Sequence, residues 1–469
     1  MRWSDRLIAA ILLKLLFMWK ELDPALHERI EHIVVVMMEN RSFDHMLGYL
    51  SLPDWQLGGS ETIDGLPAEG FMETFNGEPY KSAPLASSKW PEDGGDPPHE
   101  GRPVAWQVAE RARYLSTYVE KHPGRDPSVV MSYLTAKQVP VYDFLARQYC
   151  VCDRWFCSVP GATWPNRLFA IAGDAGGETN IPQTVLEGAL GNMTTLFHIL
   201  DDREVDWCWY SSDPSLLRAF SWKYRLDDNR DRFAYFRHRT ERQQRNFLSD
   251  AAEGQLPAFS WVDPNFFRLP LGLDGPLDPD DDHPPHDVMR GQKFVNTVYA
   301  ALTRNEEAWR KTLVLVTYDE HGGLYDHCRP PGSLGPRIPA LVISPWVKPA
   351  RPCHTELEHT AIIKTALRRF ADEAAAESMG PRVYYANDVW DMLDEKEPRD
   401  PPEVPDLGEA VVTPADLEAT DLPPGGSTIQ RVIEVADRFG EEFVELQQDL
   451  IEIFRRLRGD PEKMPDRQP

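Results

Sequence analysis

The chain has 469 residues, 42% of them hydrophobic, with 50 basic against 75 acidic side chains and a formal charge of −25. That apolar fraction supports a large core and leaves room for more than one compact unit. The acidic balance argues against nucleic-acid binding through phosphate contacts and against non-specific adhesion to anionic lipid, but says nothing against a local cationic or metal pocket.

Leu7 to Trp19 is apolar apart from Lys14 and follows Arg2 and Arg6. No small-x-small cleavage site follows it and no twin arginine precedes it. Its length falls short of the roughly 20 residues that cross a bilayer. Residues 1–30 are therefore expected as an apolar helix that packs on the core or lies at an interface. An unprocessed chain working in the cytoplasm or peripherally at a membrane is the matching expectation.

Residues 32–38 read as a buried strand that ends on Glu39-Asn40-Arg41-Ser42-Phe43-Asp44. A Glu-Asn pair by itself is an ordinary loop acid and turn residue. At the end of a buried strand both become oxygen donors where open α/β sheets bind ligands. Arg41 and Asp44 are spaced to pair locally, and His45 reads as structural. Residues 50–100 are rich in Gly, Pro and Asp and are expected to loop over the active face. They contain Asp96-Pro97-Pro98-His99.

Arg102 to Glu120 reads as a helix and Gln148 to Asp153 as a strand. The six cysteines do not form a disulfide framework, and Cys150-x-Cys152 lacks zinc-knuckle spacing; all six read as ordinary buried or half-buried thiols. Gly161-Ala162-Thr163-Trp164-Pro165-Asn166-Arg167 opens another helix, with Thr163 at its start and Pro165 in its first turn. Two readings stand side by side. Thr163 is a plain N-cap, or its hydroxyl is a nucleophile in the positive field of a helix N-terminus, with Asn166 or Arg167 on a phosphoryl oxygen.

Residues 200–282 hold many aromatics and charges with little periodicity and are expected as an insertion or cap. His283-Pro284-Pro285-His286-Asp287 then echoes the earlier Pro-Pro-His. Loop histidines of this kind are commonly plain surface groups; beside acids and a hydroxyl they can serve acid–base or phosphate-binding chemistry. Met289 to Asn305 reads as a helix. Residues 312–318 read as a strand that ends on Asp319-Glu320-His321-Gly322-Gly323. Adjacent acids there repel each other without a cation between them, and paired glycines let the backbone pass close to a ligand.

Ile338 to Ser344 reads as a strand and His359 to Phe370 as a helix. Strands alternating with helices indicate a doubly wound α/β domain. Residues 398–426 contain seven prolines and read as an extended linker or strap. Residues 427–460 are expected as an amphipathic helix. Their apolar stripe calls for a partner: a second copy of the chain, or the core itself.

The runs HIVVVMMENRSFDHMLGYL, DPPHE, VYDFLARQYCVCDRWFCSVPGATWPNRLF, DDHPPHDVMRGQKFV, TLVLVTYDEHGGLYDH and RIPALVISPWV occur in one order along residues 32–347. In these runs the chain resembles the bacterial and plant non-specific phospholipase C (phosphoesterase) family of the alkaline-phosphatase-like superfamily. The resemblance, over roughly residues 30–372, implies an α/β three-layer sandwich around a mainly parallel sheet, to which the loop insertions and the C-terminal helix read above are additions. The catalytic domain is expected over residues 31–397. The resemblance implies a divalent metal, with Zn, Ca, Mg and Mn all open, held by Glu39, Asn40, Asp319 and Glu320 and touched by Thr163 as nucleophile. His99, His283 and His321 are implied as phosphate or acid–base groups, with His286 beside them. The expected reaction is hydrolysis of a phospholipid to diacylglycerol and a phosphorylated head group, with transient contact at a membrane surface. Acid phosphatase action on the same fold is the alternative within enzymes, and an inactive fold serving as a binding protein the alternative outside them.

Overall fold

The computed structural model describes residues 29–57, 62–111, 113–177, 193–212, 230–239, 245–266, 279–405 and 407–421, with the single positions 215, 217 and 224. The N-terminal apolar helix expected over 1–30 lies, except for residues 29 and 30, outside the described residues, and the helix expected over 427–460 lies wholly outside them.

An eight-stranded sheet forms the centre. Its strands in chain order are β1 (His32–Met38), β2 (Cys150–Cys152), β3 (Trp207–Tyr210), β4 (Phe233–Ala234), β5 (Phe259–Val262), β6 (Thr312–Tyr318), β7 (Ala340–Ile343) and β8 (Arg351–Cys353). The spatial order is β8-β2-β7-β6-β1-β5-β3-β4. Only β7 runs against its neighbours; every other pairing is parallel. β1 and β6 are β-branched and aliphatic and are buried nearly throughout, as strands covered on both faces must be.

The helices bearing on the site are α1 (Arg102–Ala109), α2 (Arg113–Lys121), α3 (Pro140–Gln148), α4 (Thr163–Ala172), α5 (Val288–Thr303) and α6 (Thr360–Phe370). α3 packs with α5, and α4 with α6, which gives the helical layers of the sandwich. The expected single helix over 102–120 is two. Glu110 is extended and ends α1, so Gln107 and the Tyr114–Tyr118 face of α2 point at different neighbours.

The stretch 200–282 is more than an insertion or cap, because it contributes β3, β4 and β5 to the sheet. Trp207, Trp209 and Trp261 are fully buried there. Aromatic residues on both faces of a short strand leave no alternation to read. The Pro-rich tail lies against the body as a strap. Arg399 donates to the Val347 and Gln148 carbonyls, Asn296 donates to the Ala410 carbonyl, and Thr420–Asp421 pairs with His238–Arg239.

Candidate active site

β1 and β6 pair in parallel with Met38 opposite Tyr318. The pairing runs past the strand ends: the Asp319 amide donates to Met38 (3.1 Å) and the Arg41 amide to Glu320 (3.0 Å). Glu39-Asn40 and Asp319-Glu320 therefore leave the sheet side by side. Asn40 has φ +60° and turns its own amide onto Asp319 Oδ1 at 3.1 Å.

Two glycines draw further loops to this edge. Gly322 has φ +66°, and a Cβ there would collide with the Asn40 backbone. Gly323 has φ +67°, and a Cβ there would stand 2.5 Å from the Pro98 carbonyl oxygen. Only glycine accepts both the positive φ and the close approach. The Glu39 amide donates to the Asp281 carbonyl at 2.8 Å, which brings in the His283–His286 loop.

α4 reaches the same edge. Ala162 is its N-cap and Thr163 its first helical residue, half-buried; the N-cap reading of Thr163 moves by one position. Asn166 is fully buried and folds back on the loop before the helix. Its Oδ1 accepts from the Val159 amide, and its Nδ2 donates to the carbonyls of Val159, Gly161 and Ala162. It shapes the turn that presents Thr163. Arg167 stands one helical turn beyond Thr163 and on the same face. It donates to Asp319 Oδ2 (3.2 Å), Asp263 Oδ1 (3.3 Å) and the Met37 carbonyl (3.1 Å), and lies 3.7 Å from Glu39. Burial works against its charge, but Asp319, Asp263 and Glu39 outweigh burial and raise its pKa.

The donor set fits a hard divalent cation. Both side-chain amide atoms of Asn40, and Oε1 of Glu320, are buried with no hydrogen-bond partner among the described residues. Folded proteins rarely leave such atoms unpaired. Burial pushes the Glu320 carboxyl well above the usual range, and Asp319, Asp96 and Glu39 add to the shift. Carboxylates crowded beside an unpaired amide oxygen are relieved by a cation with oxygen ligands. Glu39, Asn40, Asp319 and Glu320 bring such oxygens to this edge.

The histidines divide. His99 places Nδ1 2.7 Å from the Pro97 carbonyl, and its ring lies edge-on to His283 at 5.4 Å. Ligand atoms of Asp96, His99 and His283 come within 4.8 Å of one another. Burial alone would raise the Asp96 carboxyl, but His99, His283 and Lys121 hold it at about 2. His286 turns away to Asp281 Oδ1 at 2.7 Å and is partly exposed. His321 is fully buried and its Nε2 meets Gln107 Oε1 at 2.8 Å. Gln107 donates its own amide to the Pro98 carbonyl and Thr117 Oγ1. Burial, with His99 nearby, takes the His321 pKa down to about 3. His321 Nδ1 lies 3.1 Å from Glu320 Oε2.

Sequence reading missed four members of this neighbourhood. Asp263 follows β5 as Asp319 follows β6, and accepts from Trp209 and Trp261 Nε1 at 2.8 and 2.9 Å. Its signal, an acid after a buried run, was present in Trp261-Val262-Asp263. His359 places Nε2 2.8 Å from the Asp319 carbonyl. Asp96 lay within the Asp96-Pro97-Pro98-His99 run without being assigned a role, and Gln107 gave no signal of its own. The local Arg41–Asp44 pair does not form. Arg41 donates to the Asp282 carbonyl and contacts His45, whereas Asp44 accepts from Arg337 and from His327. Asp44 sits one helical turn away and faces the far side of the loop, where the fully buried Arg337 needs anions.

The model of the phosphoesterase family matches residues 30–371. Non-specific phospholipase C4 of Arabidopsis thaliana is 30% identical over 481 aligned positions, covering 92% of this chain and 80% of that protein. Non-specific phospholipase C5 of the same plant is 31% identical, covering 73% of this chain and 70% of that protein. Phospholipase C A of Mycobacterium tuberculosis is 27% identical, covering 73% of each. Among solved structures, a protein in the alkaline phosphatase superfamily from Vibrio parahaemolyticus aligns with 15% identity and a TM-score of 0.36, over 52% of this chain and 63% of that one.

Proposed function

The chain belongs to the phosphoesterase family and is a phosphoric ester hydrolase, and from that premise we propose that it is a metal-dependent phospholipase C working through a phospho-threonine at Thr163. The observation that carries this reading is the convergence at one sheet edge of Asn40 and Glu320, with unpaired buried donor atoms, and the helix that starts at Thr163. The names of the relatives support a phospholipid as the ester.

A divalent cation held by Glu39, Asn40, Asp319 and Glu320 would supply Lewis acidity and lower the cost of ionising the threonine hydroxyl. The chain's own groups do the rest. Thr163 Oγ1 attacks phosphorus, and the bond from phosphorus to the glycerol oxygen breaks. The N-terminus of α4 favours the negative charge of the phosphoryl group. In this reading one of His99 and His283 takes the Thr163 hydroxyl proton and the other, protonated, gives a proton to the departing diacylglycerol oxygen; in the second half they take one from the water that hydrolyses the phospho-threonine and return one to Thr163. His321 is positioned by Gln107, and Arg167 holds Asp319 at the strand end. Contact with a membrane surface would be transient; among the described residues no helix is long and apolar enough to cross a membrane.

The test is product analysis with the full chain on phosphatidylcholine vesicles and, separately, on an aryl phosphate. Diacylglycerol and phosphocholine are expected. Phosphate from the aryl ester with no diacylglycerol from the vesicles would establish a phosphomonoesterase and overturn the lipase reading.

A further inference from the structure

The far edge of the sheet carries a group of sulfurs that ester hydrolysis does not use. β8 is the edge strand and pairs in parallel with β2, with Cys353 opposite Cys152 and Arg351 opposite Cys150. Residues two apart in a strand share a face, and so do paired residues. Cys150, Cys152 and Cys353 therefore point the same way, and their sulfurs lie within 4.8 Å of one another. All three are buried and reduced. A fourth sulfur lies beside the group: Met392 Sδ is 3.8 Å from Cys152 Sγ. Arg351 places it there by donating to the Met392 carbonyl at 2.7 Å and to the Asp391 carbonyl at 3.2 Å. The same guanidinium brings positive charge to the thiol face.

We propose that Cys150, Cys152, Cys353 and Met392 form a buried binding site for a soft, thiophilic cation, best matched by copper(I). Three thiols alone would also suit zinc, whereas the thioether favours the softer monovalent ion. Sulfurs at these separations need only a small contraction to meet at one ion, since metal–sulfur bonds are about 2.3 Å. Binding releases thiol protons and ties the edge strand to the Met392 segment. Cys353, 8% exposed at the end of the edge strand, is the side from which an ion enters.

The test adds copper(I) alone, without oxygen, to the folded full chain and challenges it with an excess of a copper(I) chelator. One equivalent should stay bound, with an X-ray absorption shell made of sulfur. Cys353→Ser should weaken retention by about tenfold or more; Cys328→Ser, a half-buried thiol outside the group, should leave it unchanged. Bound copper(I) should also shield Cys150, Cys152 and Cys353 from alkylation in the unaltered chain, a readout that needs no variant to fold. Loss of all copper to the chelator, a shell of nitrogen or oxygen, or equal alkylation with and without copper would overturn the site. Phosphoester hydrolysis by Cys353→Ser should stay within about twofold of the parent, so a failure here is separable from a failure of the lipase reading.

Discussion

Gly322 and Asn40 touch backbone to backbone, and no side chain fits between them. Through this contact the turn after β6 holds the turn after β1 in its left-handed conformation. Gly322→Ala must both adopt a positive φ and push the Asn40 loop away. A loss of about 2–4 kcal/mol in unfolding free energy is expected, with a larger fractional loss of hydrolysis. Urea unfolding and initial rates on one preparation check it; an unchanged rate would show that the contact does not shape the site.

Asn40 itself separates metal binding from folding. Asn40→Gly removes two unpaired buried atoms and suits φ +60°. The metal-free protein should therefore be as stable as the parent or slightly more so. The rise in melting temperature on adding a divalent ion, which follows the ratio of ion concentration to Kd, should shrink or vanish. A full thermal shift in the variant would remove Asn40 from the ligand set.

Thr163→Ala should lower hydrolysis by about a thousandfold or more, since the nucleophile is lost. Thr163→Ser should keep a measurable rate, because the hydroxyl survives at the first position of the helix. Mass spectrometry of a rapidly quenched reaction should find phosphate on Thr163. Full activity in the alanine variant would mean that another group, or water, attacks.

Arg167→Met should leave Asp319, Asp263 and Glu39 crowded in a buried place without the cation they share. Removing one partner of such a network costs about 3–5 kcal/mol. A bound divalent cation should restore part of that loss. Denaturation curves with and without the ion provide the comparison; equal losses in both would place the ion elsewhere.

His327 provides a pH test away from the proposed ligands. Burial works against its charge, but hydrogen bonds to Asp44 and Asp64 raise its pKa from 6.5 to about 10. A raised folded value means that the stabilisation is complete below pH 6.5 and is lost as pH climbs through about 10. Asp64, held at about 2, stays charged over that window. Replacing His327 with Gln should cost on the order of 2 kcal/mol at pH 6.5 and progressively less towards pH 10. A constant difference between the two proteins at both ends would refute the linkage.

Much of the fold was legible along the chain because central parallel strands announce themselves as short apolar runs. β1, β6, β7 and β2 all formed within the stretches expected for them. β3 and β5 were hidden because Trp-Cys-Trp-Tyr and Phe-Ser-Trp-Val have no polar alternation to mark them.

The sequence by itself determined which residue types end each buried run, and so the oxygen-rich pairs Glu39-Asn40 and Asp319-Glu320. Those pairs are contiguous in the chain, and local patterning is enough to find them. Only the tertiary structure decided their partners. The β1–β6 register sets Asn40 beside Asp319, 279 positions apart in the chain. Arg167 turns inward to three acids from three strand ends, and Gln107 reaches His321 from a separate helix. Such contacts arise when distant elements pack to bury apolar surface, and only then does burial make an unpaired amide or a crowded carboxylate costly enough to mark a site.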